Sequence, residues 1–302
     1  MGVSGNEIQP TAPRSGTESE NRSRSPSPVP GIECMLPFYD LAGGEYKGTL
    51  PLGDPDQTRA AVNVLFEPCS QKFSVRGPDY LTSKVKIRST DSLLRFVAAD
   101  LLSVPNAKLC DACSYPGTLP SLYPDRKFLV LNWQLPASPQ FSFVVYYVFP
   151  TEQEIASFDA QLSDENREAR KRGFELLNRF MGDEVTDEWR NNRFKLIPQI
   201  VEGPWLVKKI TPSNVPALIG NKLTTTYHKG PNYMEIDVDI TSSTAANSIW
   251  TVIYKTLASL VIDLAFVIQG NEIAELPETL FGTVRITRVS LTPDFVKEVK
   301  KD

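Results

Sequence analysis

The chain predicts an α+β fold, a mostly antiparallel, curved sheet packed around a long apolar helix. Two β-rich runs, Lys127–Leu135 (KFLVLNWQL) and Phe141–Phe149 (FSFVVYYVF), stand either side of a short turn containing Pro and Ser, as central hairpin strands do. A second pair, Ala217–Lys229 and Tyr233–Ile240, flanks Gly230-Pro231-Asn232, another turn signal. Helical patterns lie between these runs without regular alternation, which argues against a doubly wound parallel sheet.

Residues 1–33 are rich in Ser, Pro, Gly and Glu and poor in apolar side chains, so they are expected to form a disordered tail. Within it, Ser25 and Ser27 stand in a basic Ser-Pro context open to phosphorylation, although a solvated tail is the plainer reading. The opening Met1-Gly2 nearly fits an acylation signal, but Asn6 occupies the place of the required Ser or Thr. No later linker divides residues 34–302, which are read as a single domain.

Thr151 and Glu154 form a capping box for one helix. Ser163 caps a second, whose stripe Ala169, Gly173, Leu177 and Phe180 keeps helical spacing until Gly182. Trp205–Ile210 reads as a short strand. Thr283–Leu291 is the last one, with a phase slip at Arg288-Val289 that predicts a bulge.

Ser248–Ile268 (SIWTVIYKTLASLVIDLAFVI) is the expected long helix, with Thr251, Lys255, Ser259 and Asp263 as its polar lane. Thr241–Thr244 would cap its start and Gly270 its end. A transmembrane span has sufficient length, but Lys255 and Asp263 would each cost about 2.5–3.5 kcal/mol near a bilayer centre, and no Lys/Arg cluster flanks it. Two readings remain: a core helix beneath the sheet, or a helix and sheet that together enclose an apolar cavity for a lipid tail. Both need the same apolar surfaces.

Composition narrows the function. With 41% hydrophobic and 23% charged residues among 302, the chain is of the ordinary globular type. A formal charge of −4 argues against a nucleic-acid binder. Four cysteines are too few to staple this length, and with no secretory leader at Met1 they point to a reducing, cytoplasmic compartment. Cys110 and Cys113 form a lone CxxC, read as buried thiols rather than a metal or redox site.

His228 is the only histidine and no nucleophile motif surrounds it, so no catalytic residue is assigned. No glycine-rich phosphate loop is present, and no cofactor or metal is implied. Glu235, Asp237 and Asp239 alternate along a strand and would share one face. That row could serve a cation or acid/base chemistry, but a solvated strand face is the expected reading.

Basic residues with nearby aromatics suggest contact with anionic headgroups. They include Arg190, Arg193, Lys195, Lys208, Lys209, Lys222, His228 and Lys229, with an earlier set of Arg76, Lys84, Lys86 and Arg88. The candidate lipid-binding set is Arg193, Lys195, Trp205, Lys208 and Tyr233, with Trp250 and Phe266 from the apolar segment.

A family resemblance covers most of Cys69–Leu291. Its densest strings are Phe194-Lys-Leu-Ile-Pro198, Val201-Glu-Gly-Pro-Trp205, Gly230-Pro-Asn-Tyr233, Glu235-Ile-Asp237 and Leu276-Pro-Glu278, with Phe73-Ser-Val-Arg-Gly77 upstream. The chain resembles the C-terminal domain of the plant enhanced-disease-resistance-two proteins. In such proteins the domain often follows a pleckstrin-homology module and a lipid-transfer START module, and they are linked to membranes and to restraint of defence-associated cell death. The resemblance implies a lipid or membrane role by association, and residues 1–68 leave no room for either companion module. The pattern of elements further suggests a START-like helix-grip arrangement.

The expected function is therefore a non-enzymatic lipid-binding or membrane-associating module, peripheral to a membrane. The alternative is a protein-interaction domain with a filled core. A lipid-acting enzyme comes third.

Overall fold

In the computed structural model the described residues are 1–2, 35–36, 48–50, 52–53, 63–137, 140–211, 214–290 and 296–300. Beyond Met1 and Gly2, the expected tail with Ser25 and Ser27 lies outside them. In chain order the strands are β1 (Met35–Leu36), β2 (Val64–Pro68), β3 (Ser74–Arg76), β4 (Lys86–Arg88), β5 (Arg95–Ser103), β6 (Phe128–Leu135) and β7 (Phe141–Val148). They continue as β8 (Phe194–Glu202), β9 (Ala217–Leu218), β10 (Thr224–Lys229), β11 (Tyr233–Asp239), β12 (Val261–Ile268), β13 (Leu280–Thr287) and β14 (Val296–Glu298). The α-helices are α1 (Tyr80–Ser83), α2 (Leu119–Leu122), α3 (Glu152–Asp159), α4 (Asp164–Met181), α5 (Asp187–Asn191), α6 (Trp205–Ile210), α7 (Ile219–Lys222) and α8 (Thr244–Thr256).

The fold is α+β. One sheet, ordered β1-β2-β13-β12-β8-β9, is antiparallel throughout. The other, β10-β11-β6-β7-β5-β14, is mixed, because β11 runs parallel to β6 and β14 parallel to β5. The expected β6–β7 hairpin sits at the centre of this second sheet, and β10–β11 pair across Gly230-Pro231-Asn232, closed by Gly230 N–H to Tyr233 O at 3.0 Å. The β3–β4 hairpin covers the outer face of the first sheet over Ile197, Ala265 and Val267.

Between the two sheets, alternate side chains of β6, β7, β8, β12 and β13 form one apolar core. Tyr147 meets the edges of Phe266 and Phe281 at centroid distances of 6.1 and 6.0 Å, and Phe281 stacks on Phe266 and Phe194 at 5.8 and 6.4 Å. Gly282 permits this approach: a Cβ there would lie 2.4 Å from Tyr147 Cε1.

The caps predicted at Thr151 and Ser163 form, whereas Gly270 follows a strand and ends no helix. Thr151 Oγ1 accepts the Glu154 N–H at 3.3 Å while the Glu154 carboxylate accepts the Thr151 N–H at 2.6 Å. The Ser163 hydroxyl accepts the Asn166 N–H at 3.3 Å, and α4 buries Ala169, Leu177 and Phe180 before ending at Gly182.

The long apolar helix is corrected. Helix α8 ends at Thr256, a 3-10 turn follows over Leu257–Ser259, and Val261–Ile268 is the central strand β12. In VIDLAFVI four of eight residues are β-branched, and the run gains ladder partners on both sides, β13 and β8, that a helix would forgo. Asp263 therefore leaves the imagined polar lane and pairs inside the sheet with its register partner Arg285, at 2.5 and 2.8 Å. The helix-grip arrangement suggested by the pattern of elements is not shown by these sheets and helices. No described helix is long and apolar enough to cross a membrane.

Three smaller expectations also change. Trp205–Ile210 is helical, since Gly203 (φ +156°) and Pro204 turn the chain out of β8 and leave the run without a strand partner. Ala217–Lys229 is interrupted by α7. The last strand starts earlier and stops at Thr287, where Arg288 adopts φ +45°; its irregularity falls at Phe281, between the pairs Phe266↔Gly282 and Val267↔Leu280.

Candidate functional site, an exposed aromatic and basic corner

Where β8 ends and β12 begins, α6 packs beside α8. Val207 is the buried residue of α6, seated with Ile200, Leu257, Leu260 and Ile262. The helix thereby turns Trp205 and Leu206 outward, 71% and 47% exposed, together with Lys208 and Lys209. Lys209 Nζ lies 5.0 Å from the Trp205 ring centroid.

Helix α8 is capped by Ser243, whose side chain accepts the Ala246 N–H at 3.4 Å. Its sequence carries Ile249, Trp250, Val252, Ile253 and Tyr254, yet none of its 13 residues is buried. Trp250 lies tilted against Tyr254 at 5.9 Å, and its Nε1–H donates to Pro136 O at 3.1 Å, tying the helix to the end of β6. Tyr254 is 45% exposed. An apolar helix so little covered is unusual in a globular domain.

Trp205, Lys208 and Trp250 thus come together, and the other candidates do not join them. Arg193 and Lys195 lie near the start of β8, roughly 25 Å from its far end at the strand rise. Both are buried and answered by acids. Arg193 donates to Gln269 O at 3.1 Å and to Glu275 at 3.3 Å, with its guanidinium 4.2 Å over Trp189. Lys195 Nζ donates to both Glu278 oxygens, at 2.7 and 2.9 Å, and burial holds its pKa below the usual lysine range. Phe266 is fully buried between the sheets.

Tyr233 opens β11, at the end remote from α8. It lines an open cleft of about 430 Å³ with Lys127, Asn178, Asp183, Lys229 and Asn232. Lys229 is paired with Asp183, and Asn232 Nδ2 lies 3.0–3.1 Å from the carbonyls of Pro120, Tyr123 and Arg126.

The carboxylate row departs from the solvated face expected of it. Glu235 is 0% and Asp237 3% exposed, because residues 108–113 lie over them. Glu235 accepts the Ala112 and Cys113 N–H groups at 2.7 and 2.8 Å, and Asp237 accepts the Asp111 N–H at 3.2 Å and contacts His228 Nε2 at 3.1 Å. Asn132 Nδ2 lies 3.0 Å from both carboxylates.

Burial, reinforced by Asp237, pushes the Glu235 pKa up to about 8; the hydrogen bond to Asp237 raises that of His228. Burial also raises both Cys110 and Cys113 thiols, the reverse of an activated thiolate. The network fastens a segment. Among the described residues no group of three or more His, Cys, Asp and Glu could hold a metal.

Cys110 and Cys113 are free, with Cys110 exposed and only Cys113 buried. Cys69 is disulfide-bonded, which corrects the expectation of four reduced cysteines; a count alone does not exclude a bridge.

The signal that would have located the covered carboxylates was present in β6. Asn132 and Gln134 interrupt its apolar run on one face, and the parallel register sets Asn132 beside Asp237. The exposed partners Leu206 and Tyr254 carried no separate signal, because an apolar residue in a short run is normally read as core.

No solved structure matches this chain. A protein of Arabidopsis thaliana described as ENHANCED DISEASE RESISTANCE 2-like is 32% identical over 232 residues. That match covers 76% of this chain but 29% of the relative, so the chain spans less than a third of that protein's length. The family described as protein ENHANCED DISEASE RESISTANCE 2, C-terminal, matches residues 66–290, and the chain belongs to it.

Proposed function

We propose that this domain is a non-enzymatic, membrane-associating module that meets the bilayer through the α6–α8 corner. The observation that carries the reading is Trp205, 71% exposed beside Leu206 on a short helix packed against another whose apolar residues are also incompletely covered. Indole and phenol rings with an apolar body and a polar tip favour the bilayer interface. The stacked rings filling the space between the sheets support an interface over an internal lipid cavity.

Co-sedimentation with vesicles tests the proposal. Replacing Trp205 and Leu206 by Ala is expected to weaken vesicle binding by at least about tenfold, from the transfer energy of two large apolar side chains. The melting temperature should stay within about 2 °C, because both residues are exposed. If the wild-type chain stays in the supernatant with every vesicle tried, the reading fails, and a protein partner becomes the next candidate for the corner.

A further inference from the structure

Resting on the membrane reading above, the same corner also specifies the charge of its partner. We propose that it selects an anionic bilayer surface, with Lys208, Lys209 and Lys255 as the headgroup contacts.

The chain as a whole carries a formal −4, yet no Asp or Glu occurs from Gly203 to Met234, nor from Ile240 to Ile262. These two windows supply α6 and α8. Their lysines are Lys208, Lys209, Lys222, Lys229 and Lys255. Lys229 is already neutralised by Asp183 at the far end of β10, and Lys222 lies on α7.

Lys208 and Lys209 on α6 and Lys255 on α8 are exposed, and no ion pair among the described residues involves them. The nearest acids in sequence are already engaged. Glu202 binds Arg288, Asp239 binds Lys108 at 2.5 Å, and Asp263 is buried against Arg285. A positive face is therefore left on an acidic protein.

The geometry joins charge to apolar surface. With Lys209 Nζ 5.0 Å from the Trp205 ring, the aromatic and the ammonium form one unit. Such a pair suits a ring at the acyl boundary with a cation at phosphate level. A zwitterionic surface would reward the rings alone; an anionic one rewards the lysines as well, by roughly fivefold for each Lys near the surface. Three lysines give a preference on the order of 100-fold.

The test uses the full chain with two vesicle preparations, pure phosphatidylcholine and phosphatidylcholine containing phosphatidylserine at about a third of the lipid. The expected result is binding on the order of 100-fold tighter to the anionic vesicles. Raising salt to about 1 M, which shortens the screening length to roughly 3 Å, should remove most of that difference. The triple variant Lys208→Gln, Lys209→Gln, Lys255→Gln should bind both preparations alike.

Equal binding of wild-type protein to both preparations overturns the charge selection and leaves the membrane reading standing. A triple variant that keeps the anionic preference overturns the assignment of these lysines. No binding to either preparation overturns the selection and the membrane reading together. The salt titration needs no variant, so it remains decisive if a substitution impairs folding.

Discussion

The ion cluster around Glu278 gives the sharpest separation of structural from functional cations. Glu278 is 3% exposed and accepts four hydrogen bonds: Lys195 Nζ at 2.7 and 2.9 Å, the Arg76 N–H at 3.0 Å and the Gly270 N–H at 3.2 Å. The Arg76 guanidinium adds a contact at 3.6 Å. Glu278→Ala removes the acceptor and strands the Lys195 ammonium, itself 5% exposed, in a poorly solvating interior. Removing one partner of a buried pair typically costs about 3–5 kcal/mol. For a domain of this size that is a fall in melting temperature of roughly 6–20 °C.

Lys195→Met should cost less, about 1–3 kcal/mol, because the carboxylate keeps two backbone N–H donors. The double variant Lys195→Met, Glu278→Ala removes both charges, so no ammonium is left stranded. It should therefore be clearly more stable than the sum of the single losses implies, by about 1–3 kcal/mol of coupling. Thermal and denaturant unfolding followed by circular dichroism measure all four proteins. The reasoning is refuted if Glu278→Ala melts within about 2 °C of wild type. Lys195→Met weakening vesicle binding at unchanged stability would return Lys195 to the headgroup set.

Glu235 is raised from an ordinary carboxylate value to about 8, so the folded state holds its proton more tightly than the unfolded chain; this contribution is complete below about pH 4.5 and is lost as pH rises through about 8. Stability of Glu235→Gln, measured at pH 6 and pH 8.5, should change less between the two than that of wild type. Any slope remaining near pH 7 belongs in part to Glu67, which burial pushes up to about 7. Gly282→Ala should cost about 1–3 kcal/mol in denaturant unfolding, since its new methyl would lie 2.4 Å from Tyr147 Cε1. Tyr147→Phe should be neutral or slightly stabilising by the same measure, because among the described residues the buried hydroxyl has no hydrogen-bond partner; a loss above about 1 kcal/mol would reveal one.

Much of the fold could be read from local pattern, and the failures share a cause. The β6–β7 and β10–β11 hairpins and the Thr151 and Ser163 caps depend on residues within a few positions of each other, and all formed. Ser248–Ile268 failed because its second half is decided by partners about 20 and 60 residues away, β13 and β8. An unbroken apolar run satisfies either period, and only the register that joins Asp263 to Arg285 settles which one. The row of acids failed for the same reason: its cover, residues 108–113, is remote in sequence. Lone residues such as Trp205 and Lys208 were visible as types, but exposure is a tertiary property. The sequence therefore placed them beside Arg193 and Lys195, from which the fold separates them.

That separation explains why charge alone was a poor guide to the site. Arg193 and Lys195 each face a buried glutamate, Glu275 and Glu278, within the short stretch that follows β12. Their electrostatic energy is already spent on closing that end of the molecule, and a headgroup would have to displace a carboxylate held by several donors. Lys208, Lys209 and Lys255 face no such competitor among the described residues. A cation is available to a ligand only where folding has left its charge unanswered, so the search for a binding surface should follow unpaired charge next to uncovered apolar area. In this chain both conditions meet at the α6–α8 corner.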